Sequence, residues 1–176
     1  MIKPFRDAHW DSFLDLSGPV HDDLVREFYA GFSYDDTQPG KNITFYVQSK
    51  CYKVTLSTFG LLLGIPTEGF RFYKAGHELT NLPEEISKEA VLGCITNNPN
   101  LKTNFLVTSH LAYPHDKRYK IVDHNIMCRD GNLSQVPASV AALLVCLENN
   151  LPVNLAYFVA KRMSGIQSKS PLWNAS

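Results

Sequence analysis

The sequence predicts a single α+β domain, mainly α-helical, with a small β-hairpin and a C-terminal antiparallel helical hairpin. Three observations predict this class. The chain has 176 residues, of which 44% are hydrophobic and 19% charged, and this composition is typical of one folded domain. Residues 43–56 are rich in β-branched and aromatic side chains, as strands are. Residues 136–151 repeat their apolar side chains every three to four positions, as a helix does.

The first predicted element is an amphipathic helix over residues 20–32. Leu24 and Phe28 lie four positions apart and therefore share one face. Asp22 and Asp23 would lie in the first turn, where carboxylates meet the positive end of the helix dipole. We therefore interpret this acidic pair as helix-capping residues and not as a catalytic carboxylate pair.

A β-hairpin and a short helix are predicted next. Ile43–Val47 and Cys51–Leu56 form the two arms of the hairpin, and Gln48–Lys50 joins them. The segment Ser57–Pro66 predicts a short helix that ends at Gly64. Because a two-stranded hairpin is only marginally stable alone, we expect it to pack against helices.

The middle of the chain predicts two further helices separated by less regular segments. Residues 67–82 are irregular, and Pro83, which suits the first position of a helix, opens a helix through Cys94. Residues 101–112 fit a strand or a helix equally well. A helix is also predicted over residues 114–127. Its expected inward residues are Ile121, Val122 and Ile126, and its expected outward residues are Lys117, Arg118 and Lys120.

The last third of the chain carries the strongest helical signal. Residues 136–151 are apolar on nearly every side, so we expect this helix to be almost fully buried. Asn154 would cap a second helix with Leu155 on its apolar face. Lys161 and Arg162 would lie on another face of that helix. A tight link joins the two helices and predicts an antiparallel pair.

The formal net charge is zero, with 17 basic and 17 acidic residues. This sum hides an asymmetry, because residues 1–36 carry eight acids against three bases and residues 101–176 carry eight bases against four acids. Such asymmetry indicates either a basic binding face or two ends of a domain that attract each other. The second explanation is the commoner one.

No segment of the sequence predicts a membrane or secretory route. No stretch approaches the ~18 apolar residues of a spanning helix, and the N-terminal residues lack the apolar run of a secretory signal. We therefore expect an intracellular protein with no membrane partner. The pattern does not distinguish the nucleus from the cytoplasm.

Catalytic and metal-binding motifs are absent from the sequence. Phosphate-loop, dinucleotide-binding, hydrolase and zinc-protease patterns do not occur. Cys51, Cys94, Cys128 and Cys146 are far apart and are interpreted as small buried hydrophobic residues. His124 and Cys128 stand four positions apart, but a structural zinc site needs four ligands. We expect no catalytic residue, no metal site and no cofactor.

One basic stretch is a candidate for weak nucleic-acid contact. Residues 115–120 combine three bases with Tyr119, which could stack on a nucleic-acid base. Further bases could gather on the same side if the C-terminal helices pack together. The candidate residues are Lys117, Arg118, Lys120, Arg129, Lys161 and Arg162. A solvated helix face explains the same pattern equally well, because acidic residues are interleaved with the bases.

The chain resembles the plant transposon protein domain that occurs in retroelement-derived reading frames of plant genomes. The resemblance rests on hydrophobic, structural motifs that cover most of residues 20–166. They are Leu24–Ala30, Leu61–Pro66, Leu111–Arg118 and Val153–Val159. The resemblance implies a domain at 20–166, preceded by a lead-in segment at 1–19 and followed by a tail at 167–176 whose short length is compatible with truncation.

The resemblance also implies a function. It implies a mobile-element-derived, non-enzymatic protein whose domain associates with proteins, either with itself or with other element-encoded proteins. No catalytic residues come with this family. The alternative hypothesis is an orphan metal-dependent or nuclease-like enzyme whose site carries no recognisable motif.

Overall fold

The computed structural model describes residues 3–14, 18–37, 40, 42–127 and 134–167. It confirms the predicted α+β class with mainly helical content. The α-helices are α1 (Lys3–Asp7), α2 (Asp11–Leu14), α3 (Asp22–Gly31), α4 (Leu56–Leu63), α5 (Lys88–Ile95), α6 (His115–Val122), α7 (Ala138–Glu148) and α8 (Leu155–Gln167). The strands are β1 (Ser33–Tyr34), β2 (Ile43–Val47), β3 (Lys50–Val54), β4 (Leu106–Val107) and β5 (Gln135–Val136).

The strands form two antiparallel sheets, and the chain forms two compact units. One sheet has the order β1-β2-β3, and the other pairs β4 with β5. The first unit comprises residues 1–9 and 72–153, and the second comprises residues 10–71 and 154–176. The domain boundaries at 20–166 stay a prediction, and the tail from residue 168 onwards lies outside the described residues.

The second unit is built on α3 and the three-stranded sheet. Helix α3 confirms the predicted amphipathic helix, with Asp22 and Asp23 in its first turn. Phe28 on α3 lies over Phe45 on β2, with ring centroids 5.1 Å apart. Phe45 in turn stacks on Tyr52 of β3, so aromatic contacts run from the helix across the sheet.

The predicted hairpin is confirmed, and its turn is held by a carboxylate from α3. Strands β2 and β3 pair from Ile43–Val54 to Val47–Lys50, which leaves Gln48 and Ser49 as a two-residue turn. Both turn residues have positive φ, 51° and 60°, as this kind of hairpin turn requires. Their backbone N–H groups both donate to the carboxylate of Glu27, and Gln48 N lies 2.7 Å from Glu27 Oε2. Strand β1 was not predicted, because two residues are too short to show a period.

Helix α4 also confirms its prediction. Its first turn is capped by Thr55, whose hydroxyl accepts from Thr58 N at 3.0 Å. Gly64 ends the helix in the left-handed conformation, at a φ of 65°.

Asn154 caps the start of helix α8 and connects it by hydrogen bonds to the loop that contains Thr67 and Phe70. Its Oδ1 accepts a hydrogen bond from Tyr157 N at 2.8 Å, which confirms the predicted cap. Its Nδ2 donates to the carbonyl of Thr67, and its backbone N donates to the carbonyl of Phe70 at 3.0 Å. Asn154 itself is 1% exposed, so it makes these bonds from the interior of the unit.

The first unit is built around α7. Every residue of this helix from Ala138 to Leu147 is buried, as the sequence predicted. Helices α1, α5 and α6 pack against it. The predicted pairing of this helix with α8 as a helical hairpin stays a prediction, because the two helices belong to different units.

Two helix boundaries in the first unit differ from their predictions. The helix expected to open at Pro83 begins at Lys88, because Ser87 takes the capping position and its hydroxyl accepts from Ala90 N at 3.0 Å. The helix expected over residues 114–127 is α6 followed by a π-helical turn at Asp123–Met127. The ambiguous segment 101–112 contains β4 and a short 3₁₀ turn.

Replacing Asn154 tests its role in the fold. We expect Asn154→Ala to lower the free energy of unfolding by roughly 2–3 kcal/mol, because it removes the cap and the bond to Thr67. Asn154→Ser keeps a capping oxygen but not the amide donor, so its cost should be about half as large. Urea denaturation of the three proteins measures both differences. Equal stability of Asn154→Ala and the unaltered protein would contradict this assignment.

Candidate functional site

The predicted basic residues lie in both units. Lys117, Arg118 and Lys120 lie on α6 in the first unit, and Lys161 and Arg162 lie on α8 in the second. Arg129 lies outside the described residues. The prediction that all of these bases share one face therefore stays a prediction.

Arg118 does not point outward, so this part of the prediction is wrong. Its side chain is buried at 7% exposed, and Nη1 forms an ion pair and hydrogen bond with Glu148 Oε2 at the end of α7. The reason is that Arg118 lies on the face of α6 that is turned toward the core. Its buried residues are His115, Arg118, Tyr119 and Val122, which recur at the spacing of one helix face. An arginine on that face must find a carboxylate inside the protein.

Tyr119 is also unsuited to the stacking role predicted for it. Its side chain is 1% exposed, and its hydroxyl donates to the carbonyl of Gln135 at 3.2 Å. Lys117 and Lys120 are exposed, and Lys117 Nζ lies 3.5 Å from Asp116 Oδ2. The surface that α6 offers to an anion therefore consists of two lysines.

The first turn of α6 places several polar side-chain atoms in the interior of the first unit. Of the buried side-chain atoms without a hydrogen-bond partner in the described part of the chain, three lie here: His115 Nδ1, Asp116 Oδ1 and Arg118 Nε. His115 is 5% exposed, and burial lowers the pKa of its imidazole, although the nearby carboxylate of Glu148 opposes the effect. The imidazole is therefore stabilised in its neutral form.

The cysteine environments do not favour nucleophilic chemistry. Cys94 is half-buried near Arg118 and Glu148, and its Sγ accepts from Asn149 Nδ2 at 3.6 Å. Burial raises the pKa of the Cys94 thiol, and it raises that of Cys146 to about 12. Neither thiol is activated by this environment.

The prediction that the cysteines are buried is confirmed for one of them and wrong for another. Cys146 is buried and Cys94 is half-buried, whereas Cys51 is exposed because it lies on β3 at the edge of the sheet. Cys128, the partner of His124 in the weak metal pattern, lies outside the described residues. Within the described ranges, no group of three or more His, Cys, Asp or Glu side chains is placed to hold a metal ion.

Lys161 is engaged in an ion pair inside the second unit. Its Nζ lies 2.7 Å from Asp36 Oδ2 and within 6 Å of the ring centroids of Tyr34 and Tyr157. Tyr157 also donates to Asp36 Oδ2 at 3.3 Å. The hydrogen bond from Lys161 lowers the pKa of Asp36, so the carboxylate stays charged. Arg162, the next residue on α8, is half-buried.

An open cavity of about 500 Å³ adjoins this ion pair. Its walls carry both Asp36 and Arg71, together with the hydroxyl groups of Tyr34 and Ser57. Well-formed ligand sites are enclosed and mostly apolar. This cavity is open and mostly polar, so it does not identify a ligand class.

The exposed leucines of α4 are a feature that the sequence reasoning missed. Leu61 and Leu62 are 80% and 67% exposed. Three consecutive leucines at positions 61–63 were a usable signal, because successive residues of a helix point about 100° apart and cannot all face one core.

Among the described residues, no helix combines the length and the apolar character that crossing a bilayer requires.

The protonation of His115 predicts a pH dependence of stability. Burial holds its folded-state pKa below the unfolded value of about 6.5, so the unfolded chain binds more protons in this range. The contribution of the neutral imidazole to the free energy of unfolding is therefore fully present above about pH 6.5. It is lost as the pH falls through the lowered pKa of the folded state. Between pH 7 and 5 we therefore expect the free energy of unfolding to fall as the His115 imidazole takes up a proton.

Urea denaturation at pH 7 and pH 5 measures this effect. His115→Gln should show a smaller loss of stability on acidification than the unaltered protein. His21→Gln, at an exposed position, is the matched control and should keep the full loss. If His115→Gln and the unaltered protein lose equal stability, the imidazole is not the group responsible.

Comparisons of this chain with protein-family models, curated proteins and solved structures found no match. The resemblance to the plant transposon protein domain therefore rests on the motifs quoted above. Function has to be argued from the surfaces that the two units present.

Proposed function

We propose that this chain is a non-enzymatic protein-association module, derived from a mobile element as the resemblance implies, that binds a second copy of itself through helix α4. One observation carries the proposal, which is the exposure of Leu61 and Leu62 on adjacent positions of a well-formed helix. Full burial of a leucine side chain is worth roughly 1.5–3 kcal/mol. Two such side chains at one place supply a driving force for association.

The packing of α4 explains why these leucines face outward. Leu56, Phe59 and Gly60 are the buried residues of the helix. A Cβ atom on Gly60 would lie 2.2 Å from Thr67 Cγ2 and 3.1 Å from Ala156 Cβ of α8. Only glycine permits this close approach, which fixes the rotation of α4 and leaves Leu61 and Leu62 on its outer side.

The composition of α4 supports a second copy as the partner. Residues 56–63 contain no charged side chain. A two-fold contact brings the same surface of both subunits together, so a charge on that surface would meet a like charge. The uncharged surface of α4 avoids this repulsion.

Charge substitutions on α4 test the proposal. The double variant Leu61→Glu/Leu62→Glu places like charges at the two-fold contact, so we expect its self-association to be weakened at least about tenfold. Sedimentation velocity over a range of protein concentrations measures the effect. Val20→Glu alters another exposed apolar residue of the second unit and should leave self-association unchanged. A protein that stays monomeric at high concentration, or an unaffected double variant, would contradict the proposal.

We further propose a weak nucleic-acid contact through Lys117 and Lys120. Both lysines are exposed on α6 and three positions apart, so they lie near each other on the helix surface. Two phosphate contacts give a weak salt dependence. In a plot of the logarithm of the binding constant against the logarithm of the salt concentration, each contact contributes a slope of about −0.7 to −0.9.

The variant Lys117→Glu/Lys120→Glu tests this contact. We expect it to bind labelled single-stranded DNA about tenfold more weakly at low salt, with a difference that shrinks as the salt concentration rises. Fluorescence anisotropy is the measurement. Lys74→Glu/Lys102→Glu changes the charge of the same unit equally at exposed positions and should retain the affinity. Equal weakening in both variants would show attraction to total charge and no specific contact.

A further inference from the structure

We propose that the outer edge of β3 binds an extended, acidic segment of a partner protein, which adds a fourth strand to the sheet β1-β2-β3. This inference rests on the broader proposal that the chain associates with proteins. It uses a different surface and a different partner from the leucines of α4. The two can therefore be tested separately.

Strand β3 is the last strand of its sheet, and no described strand covers its outer side. It pairs only with β2 among the described strands. Four consecutive residues of the strand, Lys50 to Lys53, are exposed. An open edge of this kind is a template for strand addition by another chain.

The register of the hairpin shows which backbone groups face outward. The two-residue turn makes Val47 and Lys50 a hydrogen-bonded pair, and such pairs alternate along an antiparallel ladder. Tyr52 and Val54 therefore direct their backbone groups toward β2, and the intervening residues direct theirs outward. The N–H groups of Cys51 and Lys53 have no hydrogen-bond partner within the described ranges. These groups are spaced to pair with an incoming strand.

The side chains of β3 select an acidic partner. Lys50 and Lys53 are the charged residues of the strand, and it contains no acid. The nearest acid on α3, Glu27, is already engaged with the turn amides of Gln48 and Ser49. A second copy of β3 would bring two more lysines to the contact, and edge lysines disfavour that pairing. Lys50 and Lys53 lie three positions apart and therefore on opposite faces of the sheet. A strand with glutamate or aspartate side chains at the same spacing forms one opposite-charge pair on each face.

The strand is held in place before any partner arrives. Glu27 fixes the turn at one end of the hairpin, and the Phe45–Tyr52 stack holds its centre, with rings 5.5 Å apart. Tyr52 remains 42% exposed and offers aromatic surface to a neighbouring strand. A preformed edge reduces the ordering entropy that binding an extended segment costs.

Titration with a synthetic valine-rich peptide that carries two glutamates three positions apart, the spacing of Lys50 and Lys53, tests the proposal. We expect the labelled peptide to bind the full chain in a salt-dependent way by fluorescence anisotropy. Bound peptide should slow amide hydrogen exchange at Cys51 and Lys53 more than at Tyr52 and Val54, whose amides already bond to β2. The same peptide with lysine in place of glutamate should not bind.

Charge reversal on the strand provides the second measurement. We expect Lys50→Glu/Lys53→Glu to weaken peptide binding at least about tenfold, because two opposite-charge pairs become like-charge pairs. Lys74→Glu/Lys102→Glu, with the same net charge and exposed positions outside this sheet, should bind as the unaltered protein does. Circular dichroism confirms that each variant is folded.

Three outcomes would overturn the inference. They are equal binding of the lysine peptide, equal binding by Lys50→Glu/Lys53→Glu, and unchanged exchange at Cys51 and Lys53 with peptide bound. The variant Leu61→Glu/Leu62→Glu distinguishes this failure from failure of the proposed self-association. This variant should lose self-association and still bind the peptide. Self-association therefore tests the surface of α4, and peptide binding tests the edge of β3.

Discussion

The complete burial of α7 is the constraint on which the first unit depends. From Ala138 to Leu147 the helix exposes no side chain, so every neighbouring helix must present an apolar face or a fully paired polar group to it. Helix α6 presents a paired polar group, because its buried Arg118 forms an ion pair with Glu148 at the carboxyl end of α7. The carboxyl end of α7 also carries a partial negative charge from the helix dipole, which further stabilises the buried guanidinium of Arg118. The same geometry removes Arg118 from the solvent surface.

A corresponding constraint operates in the second unit, where α8 is anchored through its first residues. Asn154 ties the start of α8 to the loop carbonyls of Thr67 and Phe70, and Gly60 lets α4 approach Ala156 closely. These contacts set the orientation of α4, and the exposure of its leucines follows from them. The surface offered for association is therefore a consequence of close packing elsewhere in the unit, and it needs no special local conformation.

How far the sequence predicts this structure depends on how local the governing interaction is. The caps of Asn154 and Gly64 were predicted correctly, because each depends on residues within a few positions of one another. The hairpin was also predicted for this reason, although its second arm runs over Lys50–Val54 and not over Cys51–Leu56. The orientation of Arg118 was wrong, because it depends on Glu148, thirty positions away. The start of α5 was wrong because Pro83 and Ser87 both suit a helix start, and only the packing selects Ser87. The three consecutive leucines of α4 indicated that not all of them face one core, but which of them is exposed depends on the packing of Gly60.

The charge distribution shows which of the basic residues remain available at the surface. Two of the basic residues in 101–176 are neutralised internally, Arg118 by Glu148 and Lys161 by Asp36. The second pair joins the acidic front of the sequence to its basic end, which is the attraction that the charge asymmetry suggested. Cations that stay exposed on regular elements include Lys50 and Lys53, in a part of the chain with almost no net charge. Because a binding surface needs charge that the fold has not already neutralised, the exposed lysines of β3 and of α6 are the cations that these elements offer to a partner.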